Sequence, residues 1–222
     1  GVGKSTTIDC MIGTKKFNSG TITVNGFNIV TDPIGAKESF GYVASEPTCY
    51  EEMTGYEYLE FIASIYKISE GDLRNNYEYL CGRLQLDLKE LNNPIADYSH
   101  GMKQKLVVIA SLIHNPKVWV LDEPLTGLDP TSAFQIKECM REHANNGNIV
   151  FFSSHVIEVV EKICDKICII GRGKLVGVYD LKEMAKEGVT LEQLYMQHVA
   201  NANYNIDAPD AIKQFENKKA SE

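Results

Sequence analysis

Apolar positions along this chain come in two patterns that alternate. Two short runs, 118–121 and 149–152, are wholly apolar and read as strands buried on both faces, the mark of a parallel sheet covered by helices. Residues 131–143 lie between them and supply a helix long enough for a crossover. Further strands are predicted over 40–44 and 21–24, the latter turning at Asn25-Gly26 into a returning strand over 27–30. Runs over 167–170 and 174–178, parted by Gly171 and Gly173, predict a closing hairpin. Helical spacing governs much of the rest. A first helix is expected over 4–13, and the middle, 54–91, is helical in pattern. There Leu59, Ile62, Ala63 and Tyr66 recur at helical spacing after a Thr54 cap, with Glu57 completing a capping box. Another helix opens near Ser99 with Met102, Leu106, Ile109 and Ile113 along one side. Beyond His198 the chain turns polar, and a fraying tail is expected over about 200–222. The pattern is α/β: one domain over 1–222 with a mostly parallel sheet and a helical insertion at about 48–112.

Composition narrows the setting. With 44% hydrophobic and 23% charged residues among 222, the chain has the balance of an ordinary globular protein with a sizeable core. Lys and Arg number 22 against 30 Asp and Glu, a net charge of -8, so no nucleic-acid partner is expected. The longest strongly apolar stretch, 106–113, is far short of the ~20 residues that span a bilayer. No amino-terminal export signal is seen, and a cytoplasmic setting is expected. Six cysteines in this length do not make a disulfide scaffold. Cys164 and Cys168 are expected to be buried, reduced thiols, since no histidines complete a zinc set. Because Gly1 stands first with no strand before it, the chain is expected to be incomplete at its amino end, lacking the strand that feeds the following segment.

That segment, Gly1-Val2-Gly3-Lys4-Ser5-Thr6, is the back half of a phosphate-binding loop, G-x-x-x-x-G-K-[ST]. Glycines let backbone amides close around phosphate oxygens. Lys4 is placed to reach the β- and γ-phosphates and the Ser5 hydroxyl to take a Mg²⁺ position, with a helix amino end behind them. Far downstream, the strand over 118–121 runs into Asp122 and Glu123. A rigid strand end suits Asp122 to holding a metal-bound water, and Glu123, one residue on, to polarising an attacking water. Together these motifs indicate a nucleoside triphosphatase.

Three further stretches sharpen this. Tyr98-Ser99-His100-Gly101-Met102-Lys103-Gln104-Lys105-Leu106 resembles the signature motif of ATP-binding cassette (ABC) proteins; Gly127-Leu128-Asp129-Pro130 resembles their D-loop; His155, after Ser153-Ser154, resembles their switch histidine. All stand in the family's order, and the resemblance runs to about Val199. It implies a P-loop, RecA-like core that binds ATP and Mg²⁺, with Ser5 and Asp122 toward the metal, Glu123 as base and His155 at the γ-phosphate. It also implies a second ABC ATPase subunit paired head to tail, so that Ser99, His100, Gly101 and Asp129 act across the interface on its nucleotide. Hydrolysis would then drive an integral membrane permease, placing the protein peripherally on the membrane's inner face.

The match departs from the family at several positions. Ser45 stands where the family has Gln after the strand over 40–44, and a hydroxyl is too short to span the same gap to metal and water. His100 replaces the first signature glycine, and Met102 a frequent Gln. The Met-Lys-Gln variant with Glu51-Glu52-Met53-Thr54 looks most like bacterial exporter (ABC-2-like) ATPases. Tyr50, Met53, Tyr56, Tyr58 and Phe61 either pack the helical insertion's own core, the weightier reading, or form a permease-docking patch. A regulatory or non-transport cassette with weak hydrolysis is the alternative that Ser45 and His100 keep open.

Overall fold

The computed structural model describes residues 3–200, which divide into two compact units: Thr7–Ser153, and the residues up to Thr6 together with those from Ser154 on. Leading into the first, α1 (Lys4–Met11) buries Ile8, and a hairpin of β1 (Thr23–Val24) and β2 (Phe27–Asn28) follows. Both strands are shorter than the apolar pattern suggests. Asn28 Oδ1 accepts the amides of Val30 and Thr31, and this turn ends β2 early. A helix absent from the sequence reading comes next, α2 (Pro33–Glu38). Asp32 caps it by accepting the Gly35 amide at 3.0 Å, and Pro33 opens its first turn.

Three parallel strands form the sheet, in the order β3 (Phe40–Val43), β4 (Val118–Asp122), β5 (Ile149–Ser153). All five side chains of the middle strand are buried, as its apolar run predicts. The same expectation fails for β5: Ile149 is 60% and Phe151 36% exposed. These two share one face of the strand with buried Ser153, so that face is open at its start and closed at its end.

Between β3 and β4 lie α3 (Gly55–Ile65), α4 (Glu70–Leu84), two short 3-10 turns (Leu88–Asn92 and Ile95–Asp97) and α5 (His100–Leu112). The Thr54–Glu57 capping box forms at α3: Thr54 Oγ1 accepts the Glu57 amide at 3.2 Å, and Glu57 Oε2 accepts the Thr54 amide at 2.8 Å. Those bonds hold the Glu57 carboxyl below its ordinary range. Leu59 and Ala63 bury the inner face, and Tyr58 joins them, while Tyr50 and Phe61 remain exposed. From Leu106 to Leu112, α5 is buried all round rather than along one side. Gly41 lets β3 approach it, because a Cβ there would run into the Ser111 carbonyl oxygen. On β4, the fully buried Trp119 donates Nε1–H to Ser111 Oγ at 3.0 Å. Crossing from β4 to β5 is α6 (Pro130–Asn145), slightly longer than the 131–143 predicted.

The second unit contains α7 (Ile157–Ile163), the antiparallel pair β6 (Lys166–Gly171) and β7 (Lys174–Asp180), α8 (Leu181–Lys186) and α9 (Leu191–Ala200). Its core gathers Ile167, Tyr179, Met184, Val189, Leu191 and Leu194. The predicted hairpin thus forms, with longer strands, around Arg172 and Gly173 at φ 49° and 73°. Cys164 is half-buried and Cys168 exposed, which corrects the expectation of two buried thiols. Side chains alternate along β6, so burying Ile167 turns Cys168 outward. Gly1, Val2 and the tail from 201 on lie outside the described residues.

Candidate functional site

The two carboxylates foreseen at a strand end stand there on very different backbones. Asp122 is the last residue of β4 and 5% exposed. Glu123 is half-buried, and its φ of +49° puts a non-glycine residue in the left-handed region at a cost of ~1–3 kcal/mol. Parallel register sets Ser153 directly opposite Asp122. Its hydroxyl donates to Asp122 Oδ1 at 2.5 Å and accepts the Glu123 amide at 3.0 Å. The turn beyond is pinned as well: the Thr126 amide reaches the Glu123 carbonyl at 3.2 Å, and buried Gln104 donates Nε2–H to the Pro124 carbonyl at 3.3 Å. Neither Ser153 nor Gln104 was singled out from the sequence. A comparison of lengths carries the signal for Ser153, since β4 and β5 are both five residues and end in polar side chains. Nearby on β3, burial first and the Asp122 charge second raise the Tyr42 phenol above its ordinary range.

In the same unit, Ser99 is the N-cap of α5, and its Oγ accepts the Met102 amide at 3.3 Å. His100 opens the helix exposed, with Nε2 3.6 Å from where a Gly127 Cβ would stand. Gly127 itself has φ +74°, and a Cβ on Gly101 would meet only Ser132 Oγ, at 3.9 Å. His100 and Gly101 therefore face the turn after Glu123 and the start of α6. Lys103, on the same helix, is ion-paired with Glu51. Asp129 caps α6, accepting the Thr131 and Ser132 amides at 2.9 and 3.0 Å through Oδ1. A further bond from the Ser132 hydroxyl does most to hold this exposed carboxyl below its ordinary range. Ser45 and its neighbour Glu46 are exposed in the loop after β3.

The other unit holds the remaining sites. Gly3 has φ +108°, a conformation that suits glycine, and hands the chain to α1. Lys4 is half-buried on the first turn, with Ser5 and Thr6 exposed beside it. His155 is exposed two residues past β5.

Among the described residues no group of three or more His, Cys, Asp or Glu is placed to hold a metal. The donors on offer, one buried carboxylate and the Ser5 hydroxyl, are hard oxygens. Each, within its own unit, is of the oxygen-donor type that suits Mg²⁺, which keeps several waters and is commonly bound through one or two protein oxygens and a nucleotide's phosphates.

A family model described as "ABC transporter" matches residues 1–126, more than half of the chain, and takes in the loop segment, Ser99–Gly101 and both carboxylates. The chain is 32% identical over 201 residues to the ABC-type transporter ATP-binding protein EcsA of Bacillus subtilis, covering 89% of this chain and 81% of that protein. It is 31% identical to the linearmycin resistance ATP-binding protein LnrL of the same organism, covering 91% of this chain and 65% of LnrL. Among solved structures it is similar to an ATP binding subunit of an ABC transporter, with a TM-score of 0.81, 30% identity and coverage of 88% and 83% of the two chains. Carboxylates at the end of a central parallel strand, a glycine-led helix start carrying Lys4 and Ser5, and these likenesses agree: the chain belongs to the ABC transporter family, as one of its ATP-binding, Mg²⁺-dependent ATPase subunits.

Proposed function

We propose that this protein powers a membrane permease, with export as the direction, through two ABC ATPase subunits that pair head to tail around ATP. In this reading Lys4 and the amides of residues 1–6 hold the β- and γ-phosphates. Ser5 and Asp122 hold Mg²⁺, which neutralises charge on the phosphate oxygens when bound. Glu123 accepts a proton from the attacking water, and His155 contacts the γ-phosphate. Ser99, His100, Gly101 and Asp129 belong to the face presented to the partner's nucleotide, where the amino end of α5 favours an anion. Gln104 and Ser153 keep the turn of residues 123–127 in place. No helix among the described residues is long and apolar enough to cross a membrane, which accords with a separate permease subunit at the membrane's inner face. The exposed Tyr50, before α3, and Phe61, within it, are offered to that permease, whereas Tyr58 is taken up by the core.

The observation that carries this reading is the fixed pair at the end of β4: a buried Asp122 and a Glu123 on a strained, hydrogen-bonded backbone. Its test is Glu123→Gln, assayed for ATP binding and phosphate release. Binding is expected within a few-fold of the parent and turnover lower by ~10²-fold or more, because the amide keeps the shape and removes the base. Turnover equal to the parent's excludes Glu123 from the chemistry.

A further inference from the structure

We infer that Ser153 is a positioning residue that sets both carboxylates of the site at once, an inference that rests on the roles proposed for Asp122 and Glu123. The hydroxyl has one proton to give and lone pairs to accept with, and both capacities are used. The proton goes to Asp122 Oδ1 at 2.5 Å, and the oxygen accepts the Glu123 amide at 3.0 Å. Ser153 is 7% and Asp122 5% exposed, so water has little room to replace these bonds. The geometry also explains why a polar residue ends β5 after four apolar ones: β3 ends at Val43 opposite Leu121, and among the strands of the described residues only β5 reaches Asp122.

Two consequences follow for the reaction. Engaging Oδ1 fixes the rotation of the Asp122 carboxylate and leaves Oδ2 as the oxygen that would serve the Mg²⁺ site. Anchoring the Glu123 amide holds a backbone at φ +49° that a non-glycine residue rarely adopts, so the direction of the Glu123 side chain depends on the same hydroxyl.

The test compares Ser153→Ala and Ser153→Thr with the parent for turnover, half-saturating Mg²⁺, ATP binding in EDTA and melting temperature. For Ser153→Ala, turnover is expected to fall and the Mg²⁺ requirement to rise, each by ~10–100-fold, as when groups supporting a metal site are removed. Metal-free ATP binding should stay within about two-fold, and Ser153→Thr, which keeps the hydroxyl, should recover both losses. A merely structural residue would lower the melting temperature without moving the Mg²⁺ requirement. Should the alanine variant fail to fold, Ser153→Cys, close in shape but a weak donor, carries the same expectation. Parent-like turnover and Mg²⁺ dependence in a folded alanine or cysteine variant, or a threonine variant no better than alanine, overturns the inference. Asp122→Asn separates the two claims. If it retains Mg²⁺-dependent turnover, the site reading itself fails; if it loses turnover while Ser153→Ala keeps it, only the role of Ser153 fails.

Discussion

A glutamate held at positive φ, as Glu123 is, is costly. Hydrogen bonds at Ser153, Thr126 and Gln104 hold this turn in place, as the role proposed for Glu123 requires. His114 is a second residue whose setting has a measurable consequence. Its ring stacks on Tyr66 at 3.7 Å between centroids, and Nε2 lies 3.2 Å from the Phe40 carbonyl at the start of β3. Burial pushes its pKa down to about 4 from an ordinary 6.5. The folded chain therefore refuses a proton that the unfolded chain accepts between those values. The stability His114 preserves above pH 6.5 drains away as the pH falls through that window, by roughly 2 kcal/mol once partial exposure is allowed for. Burial depresses His143 in the same direction. Thermal melting at pH 7 and pH 4.5 should thus show a larger acid loss in the parent than in His114→Phe, which still stacks but cannot titrate. Equal losses would mean that His114 is not the group responsible. Residues of this kind were the least legible in the sequence. Lys4, Ser5, Asp122 and Glu123 announce themselves by order and type, whereas Ser153 acquires its role only when register brings it beside Asp122 from thirty-one positions away.

Elements follow local chemistry closely where that chemistry is self-contained. The Thr54–Glu57 pair fixed the start of α3 in sequence and in structure, because both bonds lie within four residues. Thr54→Ala should cost ~1 kcal/mol and lower the melting temperature, and Glu57→Ala somewhat less. Since the two groups cap each other reciprocally, the double variant should lose less than the two single losses added. Strict additivity in the double-mutant cycle would mean that the box does not act as a unit. The helix α2 was equally local, with Asp32 and Pro33 at its start, but it is six residues long and lacks the repeating apolar spacing that reveals longer helices. For β5 the limit is different in kind. An apolar run states that a strand is favourable there, and only the assembled sheet shows that Ile149 and Phe151 are left exposed.

At the scale of the molecule, the family's order of motifs is distributed over two compact units. Lys4, Ser5 and His155 fall in one; Ser45, the signature segment, Asp122, Glu123 and Asp129 fall in the other. Within the unit Thr7–Ser153, His100 and Gly101 of α5 lie against the Gly127 turn and α6, so the signature segment and the carboxylate turn are built on a shared support. Head-to-tail pairing requires that ATP join two copies of this chain. Light scattering of Glu123→Gln, with and without saturating ATP and Mg²⁺, measures this directly, because the variant should bind nucleotide without consuming it. The mass should rise from that of a single chain, 24.8 kDa, toward twice that value with ATP and Mg²⁺ and return to it when the nucleotide is removed. A mass that stays at one chain while ATP is demonstrably bound would contradict that pairing.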